Sequence, residues 1–143
     1  MKGQGSGKET AAPKLTRKKL EALLSAEFPQ MFDPERGYAI ERVWLGGCRL
    51  RRHFHPKSLR PGGTVSGPII MALADVAMYV AVLSAIGWVP LAVTTNLTIN
   101  FLRKPAPRDL LLRRNCSSSA NGSPSAKSAF GRRAATNWWP TPP

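Results

Sequence analysis

The hydrophobic pattern of this chain switches period several times, and each switch marks an element. Between Leu15 and Phe28 the apolar residues Leu20, Leu23, Leu24 and Phe28 fall at helical spacing, and Thr16 stands where an N-cap belongs. That spacing predicts a helix broken by Pro29 and again by Asp33-Pro34. From Tyr38 to Leu45 apolar and polar residues alternate imperfectly, as in a strand. Gly46-Gly47 then supplies a turn, and Cys48–Phe54 reads as a second, weakly alternating strand. Residues 56–64, with Pro61-Gly62-Gly63, read as a loop. The long apolar run that follows has Ser66 as a possible N-cap and Pro68 in the first turn, where a missing N–H is harmless. Gly87 ends it. Beyond it, Leu91 to Pro105 alternates as one long strand.

The run from Ile69 to Ile86 is 18 residues, close to the shortest length that spans a bilayer. Asp75 lies within it, at a cost of about 2.5–3.5 kcal/mol on insertion scales, and Gly87 and Pro90 close it sharply. A core helix of a soluble domain is the better reading. Ala74, Ala77, Ala81 and Ala85 form a stripe of small residues that a sheet can approach closely. An almost wholly apolar circumference implies a helix wrapped by other structure. Asp75 is the exception, because an isolated buried carboxylate is costly unless it is paired, hydrated or used.

Past Leu112 the periodicity gives way to Ser-, Arg- and Pro-rich sequence. Back-translation suggests a reason. Asn137-Trp138-Trp139-Pro140, read one nucleotide upstream, becomes Leu-Val-Ala whatever the free bases are. With Ser codons of the TCN type, residues 119–128 permit Gly-Lys-Arg-Leu-Ala-Val-Gly-Glu-Ile, a good strand sequence. Residues from about 111 onward are therefore expected to be out of frame; a natural disordered tail is the alternative. The chain then divides into a basic N-terminus (1–14), a domain (15–110) and an aberrant tail (111–143).

Charge follows the same division. The formal net charge is +13. Residues 1–20 carry six Lys/Arg against one Glu, and residues 110–143 carry five Lys/Arg and no acid, so each end contributes +5. Only +3 remains for residues 21–109, with ten basic and seven acidic groups. Solvated tails explain the excess, and weak, salt-sensitive polyanion binding is the most they suggest. The opening residues contain no apolar run of the secretory kind. Cys48 and Cys116 lack metal-ligand spacing and read as free thiols in a reducing cytoplasm. His53 and His55 share a strand face, but nothing is spaced to complete a metal site with them.

Gly62-Gly63-Thr64-Val65-Ser66-Gly67-Pro68, then Leu73-Ala74-Asp75, then Val93 to Arg103 together resemble the PaaI-like acyl-CoA thioesterases of the hotdog superfamily. The resemblance covers roughly residues 36–109. It implies an α+β hotdog fold, a long central helix wrapped by an antiparallel sheet, with that sheet incomplete at the C-terminus. The family's motif is His-Gly-Gly before a helix bearing Leu-Ala-Asp. Here Ser66 replaces the His, Pro68 replaces the second Gly, and Arg60 stands where Asn is frequent.

The resemblance assigns Gly67 the backbone N–H that stabilises an oxyanion at the helix N-terminus, where the dipole favours negative charge. It assigns Asp75 the part of general base or nucleophile, and Thr94 a hydroxyl that orients water or the acid. Ser66, Asn96 and Asn100 then line the substrate cleft, and Arg103 and Lys104 meet the phosphates of coenzyme A. Eight residues of helix separate Gly67 from Asp75, about 12 Å, too far to act on one carbonyl within one subunit. They can meet across a two-fold interface, which implies a homodimer or homotetramer. No resident cofactor or metal is expected, since coenzyme A arrives as part of the substrate.

Three functions follow: hydrolysis of a small-molecule acyl-CoA in the cytoplasm, non-catalytic binding of an acyl-CoA or acyl group, or polyanion binding by the tails. The last rests on charge alone, with no stacking-aromatic pattern or reading helix, so neither a specific nucleic acid nor a membrane is an expected partner. Sequencing the coding DNA tests the tail. A single-nucleotide shift that opens continuous strand-like sequence is the expected result; an intact frame with codons as homogeneous as those upstream would refute it.

Overall fold

The computed structural model describes residues 11–32, 37–94, 97–101, 103–116 and 137–140. Helix α1 spans Arg17–Glu27, with the Thr16 side chain accepting from the Lys19 N–H at 3.4 Å and Leu20 and Leu24 buried. Pro29 does not simply end the helical path as the sequence suggested. It begins a second short helix, α2 (Pro29–Phe32), because proline is well suited to a first helical turn. Strands β1 (Tyr38–Trp44) and β2 (Gly47–Arg52) form the expected antiparallel hairpin. Their imperfect alternation has a cause: the register slips between Ile40 and Arg42, so the strand bulges at Glu41.

The segment read as a loop contains a turn of 3-10 helix at Pro56–Ser58 and a miniature hairpin, β3 (Leu59–Arg60) with β4 (Thr64–Val65). Gly62 and Gly63 turn it with φ of 98° and 72°, a region that favours glycine. Helix α3 then runs from Gly67 to Ile86 and stops at Gly87, whose φ is 93°. Strand β5 (Leu110–Asn115) lies beside β2, and β6 (Asn137–Pro140) beside β5, in a four-stranded antiparallel sheet of order β1-β2-β5-β6.

Two expectations are corrected here. The tail does not begin at residue 111: β5 alternates buried and exposed positions through Asn115. Its buried Leu110, Leu112 and Arg114 face the core side, and the arginine at the third inward position disguised the period. The described residues of Leu91–Pro105, in turn, form no strand; none of them joins a ladder. A strand needs a neighbour for its backbone groups, and among the described residues the sheet offers this segment none. It lies along α3 instead. Ala92 packs with Met78 and Val82, and the Phe101 ring comes near Gly67 at the helix start.

The core forms where α3 meets the sheet. Ala74, Ala77, Val80, Ala81 and Leu83 are buried with Ile40, Cys48, Leu50 and Leu112. The small stripe lets β2 come close enough for the Cys48 thiol to donate to the Ala77 carbonyl at 3.2 Å. Burial, with Cys116 nearby, pushes that thiol well above its ordinary pKa, so it remains a protonated donor. By length and composition α3 could cross a membrane, yet most of it is buried inside the fold. The hairpin tip is tied to its far end, where the Gly46 N–H donates to Ser84 Oγ at 3.0 Å.

On the other face of the sheet Trp44 folds over Gly47, and its indole N–H donates to Asn115 Oδ1 at 2.8 Å. A Cβ on Gly47 would stand 2.0 Å from the indole nitrogen and 2.8 Å from the Arg114 carbonyl. Gly47→Ala should therefore lower stability by about 3 kcal/mol or more, at the upper end of overpacking effects. Urea denaturation checks it, and an unchanged midpoint would contradict this packing.

Asp109, just before β5, gathers the end of the hairpin. It accepts from the Phe54 N–H at 2.7 Å, from Arg51 at 3.3 Å, and pairs with His53 at 3.2 Å. Partial burial opposes its ionisation, but the Phe54 N–H, Arg51 and His53 outweigh it and hold the carboxyl below the usual carboxylate range. A depressed pKa gives stability that is present above the unfolded value of about 3.9 and is lost as pH falls through the folded value. Asp109→Asn should cost about 1 kcal/mol at pH 7 and flatten the acid limb of stability against pH below about 4. Parallel acid limbs in the two proteins would contradict this.

Candidate active site

The sheet covers one side of α3, so the helix has an outer side. Pro68, Met71 and Asp75 are exposed there, and Tyr79 is half-buried on the same side. Asp75 is thus not a buried acid in the single chain, contrary to the sequence reading. An apolar circumference shows that a helix needs covering but does not show which side its own chain leaves open.

A cleft of about 570 Å³ lies over this side. Asp75, Val76 and Tyr79 form its floor, Trp88, Pro90, Ala92, Val93, Thr94 and Leu97 line it from the segment after the helix, and Glu27 and Phe28 come from the end of α1. Local chemistry holds these parts together. The Tyr79 hydroxyl donates to the Pro90 carbonyl at 3.0 Å, fastening the returning chain to α3. Burial raises the Tyr79 pKa, so the phenol keeps the proton it donates. The Phe28 ring stands edge-on to Tyr79, with centroids 6.5 Å apart, a favoured aromatic geometry.

The structure brings Asp75 and Thr94 into one cleft, and both are exposed to solvent. Gly67 is not among the residues lining it; it lies at the N-terminus of the same helix, two turns away, with Phe101 nearby. Ser66 is the N-cap residue, but its side chain makes no capping hydrogen bond. Pro68 in the first turn has no N–H, so Gly67 is the donor nearest the helix tip. Asn100, Arg103 and Lys104 are exposed and outside the cleft; Asn96 lies outside the described residues. Among the described residues no cluster of three His, Cys, Asp or Glu could hold a metal ion.

Sequence reasoning missed the wall contributed by α1 and the aromatic floor. Phe28 shares the helical spacing of the α1 leucines, and only the fold shows that Glu27 comes with it to the cleft. Tyr79 carried a readable signal, since it follows Asp75 by four residues on the same helix face.

The pattern of the Thioesterase superfamily matches residues 62–117. A candidate thioesterase from Silicibacter sp. TM1040 is 40% identical, over 72% of this chain and 70% of its own, with a TM-score of 0.63. The zebrafish thioesterase superfamily member 2 has a TM-score of 0.62 at 16% identity, over 74% of this chain and 78% of its own. The Escherichia coli PaaI protein of the phenylacetic acid degradation operon has a TM-score of 0.52 at 22% identity, over 67% and 70%. These last two share the fold. No curated protein matches the chain.

A long helix laid on an antiparallel sheet, with an acid on the helix's open side, defines a hotdog-fold protein. This chain belongs to the thioesterase superfamily.

Proposed function

We propose that the protein hydrolyses an acyl-CoA thioester to a free acid and coenzyme A, at a site shared between two copies of the chain. The observation that carries this reading is the pairing of Asp75 and Thr94 in an open cleft on the uncovered side of α3. Asp75 takes a proton from a water held by the Thr94 hydroxyl, and the water oxygen attacks the thioester carbonyl carbon. The resulting oxyanion accepts a hydrogen bond from the Gly67 N–H of the second copy, at the positive end of its helix. When the tetrahedral centre collapses the C–S bond breaks, the coenzyme A thiolate takes up the proton, and the carboxylic acid leaves.

The spacing on α3 supports the two-fold arrangement. Gly67 and Asp75 lie about 12 Å apart along one helix, whereas antiparallel copies can bring each helix tip to the other's acid. Exposed apolar side chains on this side, Met71, Leu91, Val93 and Phe101, give the copies something to bury. Arg103 and Lys104 belong to the coenzyme A phosphates in this reading, with Ser66, Asn96 and Asn100 nearer the reacting group. Coenzyme A enters with the substrate and no resident cofactor takes part; the cytoplasm, where free thiols persist, is the proposed compartment.

One observation favours a second reading, a non-catalytic acyl-CoA binder. Pro68 lacks an N–H, so the helix tip has one donor fewer for an oxyanion. Thiol release from a panel of acyl-CoAs separates the two. Asp75→Asn should lower kcat/KM at least about a hundredfold, as expected when a general base is lost, without changing the oligomer. Turnover unaffected by that replacement would remove Asp75 from the chemistry, and tight binding without turnover would favour the second reading.

A further inference from the structure

The chain is strongly basic, yet its cleft is acidic. Glu27 and Asp75 line it, and among the described residues no Lys, Arg or His does. The remaining wall is aromatic and aliphatic apart from Thr94. Glu27 is exposed and, among the described residues, forms no ion pair. It sits on the last turn of α1, beside Phe28, whose ring packs edge-on to Tyr79 on the floor. That contact fixes where the end of α1 stands relative to the cleft. Asp75 is accounted for by the hydrolysis proposed above. Glu27 has no part in that reaction, nor does it stabilise the fold through any ion pair described here.

We propose that Glu27 determines specificity, its carboxylate disfavouring acyl groups that end in a carboxylate and so selecting uncharged ones. The proposal rests on the reading that the cleft receives the acyl part of a coenzyme A ester. A carboxylate entering between aromatic walls loses water and meets two like charges, with no cation among the described lining residues to offset them. An acyl group ending in methyl meets only apolar surface. The phosphates of coenzyme A are not opposed in this way, because the exposed Arg103 and Lys104 lie outside the cleft. The negative charge is therefore confined to the end of the site that reads the acyl group.

The test uses two non-hydrolysable thioether analogues of a five-carbon acyl-CoA, one ending in methyl and one in carboxylate, titrated into the full chain at low and high salt. The methyl-ended analogue should bind more tightly to the unmodified protein. Glu27→Gln should narrow the ratio of the two affinities at least about threefold, and Glu27→Lys should narrow it further. High salt should narrow it in the unmodified protein and have little effect on the ratio in Glu27→Gln. A residue that merely held α1 in place would shift both affinities together and leave the salt response of their ratio unchanged. Equal affinities, or a ratio indifferent to both replacements, would overturn the proposal while leaving acyl-CoA binding intact. Failure of both analogues to bind would overturn it together with the acyl-CoA reading.

Discussion

The close packing of α3 against the sheet is the contact on which the other features of the molecule depend. Ala74, Ala77 and Ala81 are fully buried, and their small side chains bring β2 near enough for a thiol-to-carbonyl hydrogen bond across the layer. A larger residue on that stripe would separate helix from sheet and open a void that native packing density does not tolerate. The same contact fixes the rotation of the helix. Once the alanine side faces β2 and β5, Met71, Asp75 and Tyr79 must face away. The cleft exists because that rotation leaves an acid on the open side, where Trp88, Pro90, Ala92, Val93 and Leu97 line the space over it.

Much of this was legible in the sequence, and the limits are physical. Helix α3 announced itself at both ends through Ser66, Pro68 and Gly87, and α1 through its leucine stripe and Thr16. The hairpin followed from Gly46-Gly47, although the bulge at Glu41 blurred the alternation that should have marked β1. The segment from Leu91 to Pro105 failed for a different reason. Its alternation is real, but a strand is a relation between neighbours, and a single sequence says nothing about whether the neighbour is present. The end of the domain was placed too early because Arg114 occupies an inward position of β5 usually held by an apolar residue. The pattern of the family runs on to residue 117, so any change of reading frame belongs beyond that point.

The candidate site was readable in its chemistry and not in its setting. Asp75 stood out as the polar exception in an apolar helix, and Thr94 was singled out by resemblance. The fold unites them, in the open and not in a buried position. The contribution of α1 could not be read along the chain, since Glu27 and Asp75 are far apart in sequence and meet only through tertiary packing. Gly67 at one end of α3 and Asp75 in its middle lie on a rigid rod. A rod cannot bend to unite them, and this constraint turns a question about catalysis into one about assembly.

Complementation between two inactive chains measures that constraint directly. Asp75→Asn removes the proposed base, and Gly67→Pro removes the proposed donor N–H at a helix start that tolerates proline. If each site takes Gly67 from one copy and Asp75 from the other, mixing the two variants in equal amounts under exchange conditions should restore about a quarter of the unmodified activity. Half of the dimers would then be mixed, each with one complete site of two. A mixture as inactive as either variant alone, with exchange of subunits verified, would contradict the account.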